Sequence, residues 1–220
     1  MTKLSDFVAF IFDLDGLVLD TEPTYFAAWQ KAVESMGYHL ASESFKTMSG
    51  YHYQKVVETL QTRLGQEFDL DIFKQVGTEY WLNHIHEAGI AVKKGVIDLL
   101  DYAQQQEIPV CLATNSSAVY AHECLAVAGL TQRFPSVVTF DDVAQGKPAP
   151  DIFLKAAEKM QVDIRQCIIF EDSTTGVVAA LASAAFTVYV PSTFPVNPET
   201  VEACDCFLDD LSQVFEKFSC

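Results

Sequence analysis

Two pairs of carboxylates stand out in the sequence because of their spacing. Asp13 and Asp15 flank a single leucine, and Glu171 and Asp172 are adjacent much later in the chain. Carboxylates that lie this close repel one another unless a cation bridges them. The oxygens of three of them, Asp13, Asp15 and Asp172, suit Mg²⁺, a hard ion that also keeps bound water. The acidic residues therefore predict a magnesium site rather than the caps and turns in which single aspartates are common.

Each acidic pair follows an apolar run that is typical of a buried parallel strand. The sequence predicts strands at Phe7–Phe12, Ile108–Ala113, Val137–Phe140, Cys167–Phe170 and Phe186–Val190. Helical patterns separate the last four runs, so the predicted fold class is α/β, with helices around a parallel sheet. Ligands of such sheets bind outside the carboxyl ends of the strands. Thr114 and Lys147 also fall at this edge, next to the two acidic pairs.

The chain between the first two predicted strands has a different character. It contains no strand-like run, and its apolar residues are spaced by three and four as on amphipathic helices. One such helical stripe comprises Ile72, Val76 and Tyr80. We therefore predict two domains. Residues 1–20 and 93–220 form a discontinuous α/β core, and residues 21–92 form an inserted, all-helical domain.

Composition argues against several classes of function. The chain has 14 Lys and Arg against 30 Asp and Glu, a formal net charge of -16, which disfavours nucleic acid and membrane surfaces as partners. Its longest strongly apolar stretch, Gly176 to Val190, is too short and too interrupted to span a bilayer. The first apolar run is too short for a signal peptide, and the cysteines match no zinc or redox spacing. We expect a reduced, cytoplasmic protein that is a monomer or a small homo-oligomer.

The order of the polar segments resembles that of a known superfamily. The stretch from Asp13-Leu14-Asp15-Gly16 to Asp20-Thr21-Glu22 is similar to the first motif of the haloacid-dehalogenase-like hydrolases. Thr114, Lys147 in its Gly-Lys-Pro-x-Pro-Asp context and Glu171-Asp172 match the second, third and fourth motifs in the same order. The resemblance covers nearly the whole chain. It implies a Rossmann-like core in which residues 21–92 form a helical cap domain.

The resemblance also implies a covalent mechanism in which the first two aspartates have different roles. Asp13 would be the nucleophile that attacks phosphorus and becomes an aspartyl phosphate, and Asp15 would be the general acid and then the general base. Mg²⁺ would be bound by the Asp13 carboxylate, the Asp15 backbone carbonyl and Asp172, with Glu171 nearby. The dehalogenases of the superfamily lack the second aspartate, so its presence favours phosphoryl transfer.

The same resemblance implies which groups would bind the phosphate. Thr114 and the Asn115 backbone would bind phosphoryl oxygens, and Lys147 would bridge the nucleophile and the phosphate. Attack by a carboxylate on a phosphate dianion is opposed by Coulomb repulsion, so a divalent cation and a lysine must neutralise the site. Local positive charge would thus allow an acidic protein to bind an anionic substrate.

Within the superfamily, the chain most resembles the β-phosphoglucomutase-like branch, which contains sugar phosphate mutases and many small-molecule phosphatases. Tyr25 stands where the mutases have a histidine, and the cap loop Ser49–Gln54 offers only His52 for a distal phosphate. Both departures favour water as the acceptor. We therefore expect a phosphatase that acts on a small phosphorylated metabolite such as a sugar phosphate, with Tyr25, His52 and Tyr53 as the cap residues nearest the substrate.

Other functions remain as alternatives. The first is a sugar phosphate mutase of the same branch. Those of a different class are a phospho-aspartate receiver-type signalling domain and a non-catalytic binding protein. A receiver would need neither the helical insert nor Asp15, and a binding protein would not need every motif position filled. Repeated release of inorganic phosphate would distinguish an enzyme from both.

Overall fold

The computed structural model describes residues 2–48 and 53–218, with Tyr53 and Gln54 described by their backbone alone. Its contacts divide the chain into two compact units. One unit is formed by the residues up to Asp20 and from Ala91 onward, and the other is Thr21–Ile90. The candidate residues Asp13, Asp15, Thr114, Lys147 and Glu171-Asp172 all belong to the first unit.

The first unit is built on a parallel sheet. Within the described residues its six strands are β1 (Ala9–Phe12), β2 (Val110–Ala113), β3 (Ser136–Val138), β4 (Cys167–Glu171), β5 (Phe186–Tyr189) and β6 (Cys206–Phe207). They lie in the order β3-β2-β1-β4-β5-β6, and every neighbouring pair is parallel. The strand order reverses at β1, which is where open sheets of this kind bind their ligands. The α/β, Rossmann-like fold predicted from the sequence is confirmed.

The strand predictions are confirmed, with ends shifted by one or two residues. Every residue of β1 and β4 is buried, because helices cover both faces of a parallel sheet and leave a continuous apolar run. The last strand, β6, was not predicted. It has only two residues, Cys206 and Phe207, which pair with Val188 and Tyr189 at the edge of the sheet, so no periodic pattern marks it.

Helices connect the strands of this unit. They are α5 (Val96–Gln105), α6 (Ala118–Val127), α7 (Asp151–Met160), α8 (Thr174–Ser183), α9 (Pro198–Ala203) and α10 (Val214–Lys217). α7 buries Ile152 and Phe153 in an apolar cluster with strand residues such as Ile11 and Ile169. α8 ends at Ala184, whose φ of 67° places an alanine in the left-handed region that favours glycine.

The second unit is all-helical. Its described helices are α1 (Glu22–Ser35), α2 (Ser42–Lys46), α3 (Tyr53–Leu64) and α4 (Leu70–Ala88). Of the stripe predicted for α4, Val76 and Tyr80 are half-buried and pack against the apolar core of this unit, whereas Ile72 is 48% exposed. The buried face consists of Phe73, Gly77, Trp81 and Ile85. Two adjacent stripes of α4 are apolar, so spacing alone does not decide which of them faces the core.

Two expectations about the chain as a whole can be compared with the described residues. None of the helices in the described ranges combines the length and apolarity that a bilayer crossing requires. Cys111, Cys124 and Cys167 are buried free thiols, and Cys204 and Cys206 are also unpaired with one another. Cys111 of β2 and Cys167 of β4 lie in the apolar core as small hydrophobic residues.

Candidate active site

The register of three neighbouring strands brings the predicted acidic residues to one edge of the sheet. Phe12 of β1 is level with Leu112 of β2 and with Phe170 of β4. Asp13 and Glu171 are the next residues along their chains, so they leave the sheet at the same level. The backbone N–H of Asp13 donates to the Phe170 carbonyl at 3.1 Å, which holds the aspartate against the end of β4.

Lys147 reaches this edge from the loop between β3 and α7, and its ammonium group has three acceptors. Nζ donates to Asp13 Oδ1, to Glu171 Oε1 at 2.5 Å and to the Ala113 carbonyl at 2.9 Å. The Nζ atom also lies 5.0 Å from the centre of the Phe153 ring. Lys147 is buried, so its charge is balanced by the two carboxylates rather than by bulk water.

Asp13, Glu171 and Asp172 form a buried carboxylate cluster, with one oxygen of each within 4.8 Å of the others. The second oxygen of Glu171 accepts hydrogen bonds from the Asp172 N–H at 3.1 Å and from the N–H and hydroxyl of Ser173 at 3.3 and 3.2 Å. Asp172 Oδ2 accepts from the hydroxyl of Ser192. Glu171 therefore accepts hydrogen bonds at both oxygens, while Asp13 accepts from Lys147 and Asp172 accepts from Ser192.

Two glycines allow the backbone to approach this cluster. A Cβ at Gly176, in the first turn of α8, would overlap the Glu171 carboxylate. A Cβ at Gly16 would overlap the Asp172 carboxylate, and Gly16 also has a φ of +85°, a conformation that side chains other than glycine adopt at a cost. These glycines are thus part of the site, although they carry no functional group.

Burial and charge crowding dominate the electrostatics of the cluster. Burial raises the pKa of Asp13 to about 7; Lys147 opposes that shift, and Glu171 and Asp15 add to it. Burial and the charges of Asp13 and Glu171 raise the pKa of Asp172 well above its usual value. Burial lowers the pKa of Lys147, but Asp13 and Glu171 outweigh it and hold this pKa above its ordinary value. Lys147 therefore stays charged.

The donor set of the cluster fits Mg²⁺. Its ligand atoms are carboxylate oxygens, which a hard divalent cation prefers. Three ionised carboxylates would outnumber the single ammonium of Lys147, and burial together with the neighbouring carboxylates raises the pKa values of Asp13 and Asp172. A divalent cation at this position would supply that charge and favour the ionised carboxylates.

Asp15 lies outside the carboxylate cluster, although it is only two residues from Asp13. Its carboxylate accepts a hydrogen bond at each oxygen: the phenol of Tyr120 donates to Oδ1 at 2.6 Å and the hydroxyl of Ser116 donates to Oδ2 at 2.9 Å. Sequence reasoning missed Tyr120 and Ser116. The available signal was their position at the start of the helix after β2, which faces the same edge of the sheet.

Thr114 and Asn115 follow β2 and have different environments. Thr114 is buried, and its Oγ1 accepts from the Ser116 N–H at 3.1 Å. The Asn115 side chain pairs with the backbone of Lys147: Oδ1 accepts from the Lys147 N–H at 2.8 Å and Nδ2 donates to the Lys147 carbonyl at 3.1 Å. A Cβ at Gly146 would lie 2.5 Å from Asn115 Oδ1, so the glycine before Lys147 permits this pairing.

The predicted substrate residues of the helical unit are described only in part. Tyr25 is half-buried, and its ring stacks on Trp81 with 5.2 Å between centroids and 9° between planes. The indole N–H of Trp81 donates to the Thr24 hydroxyl at 3.0 Å. Tyr25 therefore belongs to an aromatic cluster of this unit. His52 and the side chain of Tyr53 lie outside the described residues.

Comparisons with known proteins agree with this fold and site. Residues 10–190 match the family model of the haloacid dehalogenase-like hydrolases. The chain belongs to this family of hydrolases, and it falls in the β-phosphoglucomutase-like branch. A structure described as a putative beta-phosphoglucomutase from Thermotoga maritima superposes with a TM-score of 0.83 and 27% identity, covering 95% of this chain and 97% of that one.

Relatives with names that state an activity are similar over most of their length. A phosphorylated carbohydrates phosphatase of Thermotoga maritima is 31% identical over 181 residues, which are 82% of this chain and 83% of the relative. The fructose-1-phosphate phosphatase YqaB of Escherichia coli is 29% identical over 185 residues, 80% of this chain and 93% of the relative. Hexitol phosphatase A of Escherichia coli is 28% identical and covers 93% of this chain and 92% of the relative.

Proposed function

We propose that this protein is a magnesium-dependent phosphatase that hydrolyses a small phosphomonoester, such as a sugar phosphate, through an aspartyl phosphate at Asp13. One observation carries the proposal: Asp13 is bound by Lys147 inside a cluster of three carboxylates, while Asp15 lies beside it among neutral donors. The names of the relatives, which state phosphatases of phosphorylated carbohydrates and of fructose 1-phosphate, support the substrate class.

The first step of this reaction is an attack by the Asp13 carboxylate on the phosphorus atom. A bond forms between an Asp13 oxygen and phosphorus, and the bond between phosphorus and the leaving oxygen breaks. That oxygen takes the proton of the Asp15 carboxyl group and departs as an alcohol. Covalent catalysis of this kind divides one difficult displacement into two easier ones.

The second step returns the enzyme to its starting state. A water molecule attacks the phosphorus of the aspartyl phosphate and gives a proton to Asp15. The bond between phosphorus and Asp13 breaks, which releases inorganic phosphate and restores the Asp13 carboxylate. Asp15 therefore ends the cycle with the proton that it began with.

Stabilisation of charge is the main task of the other residues. Lys147 holds Asp13 and adds positive charge close to where the phosphoryl group must be transferred. A bound Mg²⁺ would supply electrostatic stabilisation of the phosphoryl oxygens, held by Asp13, Asp172 and Glu171. Thr114 Oγ1 already accepts from the Ser116 N–H, so its own hydroxyl proton is available for a phosphoryl oxygen.

The proposal extends to the helical unit. We regard residues 21–92 as the cap domain of the hydrolase, and Tyr25, His52 and Tyr53 as its substrate residues. A sugar phosphate mutase is the second candidate, because a structure described as a putative beta-phosphoglucomutase is similar to the whole chain. The phosphatase is preferred because the sequence has Tyr25 where the mutases have a histidine.

A substrate panel tests the proposal. Purified protein is assayed for phosphate release from sugar, polyol and nucleotide phosphates and from p-nitrophenyl phosphate, with MgCl₂ and with EDTA. We expect Mg²⁺-dependent turnover that Asp13→Asn abolishes and that Asp98→Asn, at an exposed position of α5, leaves unchanged. Undiminished activity of Asp13→Asn would contradict the mechanism. Interconversion of glucose 1-phosphate and glucose 6-phosphate without phosphate release would identify a mutase.

A further inference from the structure

The hydroxyls of Tyr120 and Ser116 account for the orientation of Asp15. We propose that Tyr120, assisted by Ser116, is a positioning residue that fixes the Asp15 carboxyl for proton transfer to the leaving oxygen. This inference rests on the proposed phosphatase function. It adds to that function two residues that lie outside the Asp, Thr, Lys and Glu-Asp positions of the four motifs.

The two hydrogen bonds bind opposite ends of the carboxylate. Tyr120 Oη donates to Oδ1 at 2.6 Å and Ser116 Oγ donates to Oδ2 at 2.9 Å. A carboxylate held at one oxygen can still rotate about its last bond, whereas one held at both oxygens has a single orientation. The backbone of Asp15 is also fixed, since it forms an isolated bridge with Leu19 in the loop after β1.

Tyr120 is itself held in place by the start of α6. The Tyr120 N–H donates to the side chain of Ser117 at 3.4 Å, and the Ala118 N–H donates to Asp141 Oδ2 at 2.8 Å. The first turn of the helix therefore has side-chain acceptors for two of its otherwise unpaired N–H groups. A well-anchored helix end can position its side chains with the accuracy that proton transfer requires.

The helix face below Tyr120 carries the acidic residue Glu123 and the thiol of Cys124. Cys124 lies one turn further along α6 and is buried. Burial raises the pKa of the Cys124 thiol to about 12, and Asp15 adds to that shift. The thiol is therefore neutral, and Asp15 accepts hydrogen bonds from the uncharged hydroxyls of Tyr120 and Ser116.

Hydroxyl partners suit a group that must be an acid in one step and a base in the next. Each carboxyl oxygen has two acceptor positions, so Ser116 and Tyr120 can donate to Asp15 in either protonation state and leave a position free for the proton that is transferred. The same two contacts can therefore persist while Asp15 loses a proton and regains it. A lysine or arginine in place of Tyr120 would instead favour only the ionised form.

Removal of the Tyr120 hydroxyl provides the test. Tyr120→Phe is assayed on the best sugar phosphate of the panel and on p-nitrophenyl phosphate, whose leaving group scarcely needs a proton. We expect kcat for the sugar phosphate to fall about 10-fold and kcat for p-nitrophenyl phosphate to change less than ~2-fold, with KM values little affected. Tyr102→Phe, which removes a hydroxyl from α5, is the matched control.

Two further variants separate positioning from a merely structural effect. We expect Ser116→Ala to lower kcat for the sugar phosphate more than kcat for p-nitrophenyl phosphate, as Tyr120→Phe does. We expect Ser116→Thr, which keeps a hydroxyl, to restore the wild-type ratio of the two kcat values. In an Asp15→Ala background, Tyr120→Phe is expected to cause no additional loss, because the group that it positions is gone. Melting temperatures of all variants show whether the fold is retained.

The outcomes distinguish this inference from the proposed function. Equal losses on both esters, an additional loss in the Asp15→Ala background, or faster turnover of Tyr120→Phe would each overturn the positioning role while the phosphatase stands. A wild-type protein without Asp13-dependent phosphate release would overturn the proposed function, and the positioning role with it.

Discussion

Asp13 and Asp15 are separated by one leucine, yet their surroundings differ in kind. Asp13 is buried against the ammonium of Lys147 and beside the carboxylates of Glu171 and Asp172. Asp15 accepts hydrogen bonds from the neutral hydroxyls of Ser116, in the loop after β2, and Tyr120, in the first turn of α6. A charged site that a divalent cation would complete suits an ionised nucleophile, and hydroxyl partners suit a group that must exchange a proton. In the proposed mechanism, one residue type thus has two roles that its environment distinguishes.

The largest expected effect comes from removing the charge on the Asp13 side. In Lys147→Met the long apolar chain is kept and the ammonium is lost, so three buried carboxylates have no lysine beside them. We expect kcat to fall by at least about 10³-fold, because charge stabilisation dominates phosphoryl transfer. Steady-state phosphate release measures the effect.

The matched control for Lys147→Met is Lys155→Met, on an exposed part of α7 where Lys155 pairs with Glu158. It should retain nearly full activity, since exposed ion pairs contribute little to stability. A loss of less than ~10-fold in Lys147→Met would show that the difference between the two aspartate environments is not the basis of catalysis.

The second prediction concerns pH and metal together. The folded pKa of Asp13 is about 7, against an ordinary value of 3.8, so the metal-free folded chain binds a proton more tightly than the unfolded chain. This contribution to stability is present at acid pH and is lost as the pH rises through about 7. Mg²⁺ competes with that proton, so it should stabilise the protein more at alkaline pH.

Thermal unfolding measures this linkage. With excess MgCl₂ in place of EDTA, we expect the melting temperature to rise by about 5 °C or more near pH ~8, and by clearly less near pH ~5.5. KCl at matched ionic strength is the control. An equal shift at both pH values would contradict a metal bound by carboxylates with raised pKa values.

The third prediction compares two helical glycines. Gly176→Ala places a Cβ where the Glu171 carboxylate lies, so either the helix or the carboxylate must move. We expect the free energy of unfolding to fall by ~1–3 kcal/mol and kcat to fall by about 10-fold or more. The carboxylate cluster is sensitive to displacements of this size because its donors are directional.

Gly77→Ala in α4 is the counterpart of Gly176→Ala. Its Cβ would meet nothing closer than 3.7 Å, which is ordinary contact, so alanine should stabilise the helix by about 0.5–1 kcal/mol. Urea unfolding of both variants gives the comparison. If both substitutions changed the free energy of unfolding in the same direction, the close approach of α8 to Glu171 would not explain the requirement for a glycine in its first turn.

The sequence predicts the residues around Asp13 better than those around Asp15, because the residues around Asp13 follow a recognisable local sequence pattern. β1 and β4 are continuous apolar runs that end in acidic residues, so both the strands and their polar ends can be identified without a structure. The residues that bind Asp15 cannot be found in this way. Tyr120 is 105 positions away from Asp15, and no periodicity links them.

Dependence on tertiary contacts also explains the other features that the sequence did not predict. The Asn115 side chain pairs with the backbone of Lys147, 32 positions later, and only the packed loop brings the two together. The edge strand β6 has two residues and depends on its pairing with β5. In α4 two adjacent stripes are apolar, and tertiary packing selects Phe73 over Ile72.

The smallest effect is expected at the far end of α8, where a change should leave both aspartates undisturbed. Ala184 ends that helix with a φ of 67°, which costs an alanine about 1–2 kcal/mol and a glycine almost nothing. Part of this gain is offset by the greater freedom of glycine in the unfolded chain, so Ala184→Gly should stabilise the protein by about 0.5–1 kcal/mol. Ala182→Gly, inside the same helix, should instead destabilise the protein by a similar amount.

Urea unfolding measures both changes in stability, and kcat should be unchanged in each variant. Altered turnover in Ala184→Gly would mean that strain at this helix end is transmitted to Glu171 and Asp172, so that the metal-binding side of the site would extend along the whole of α8.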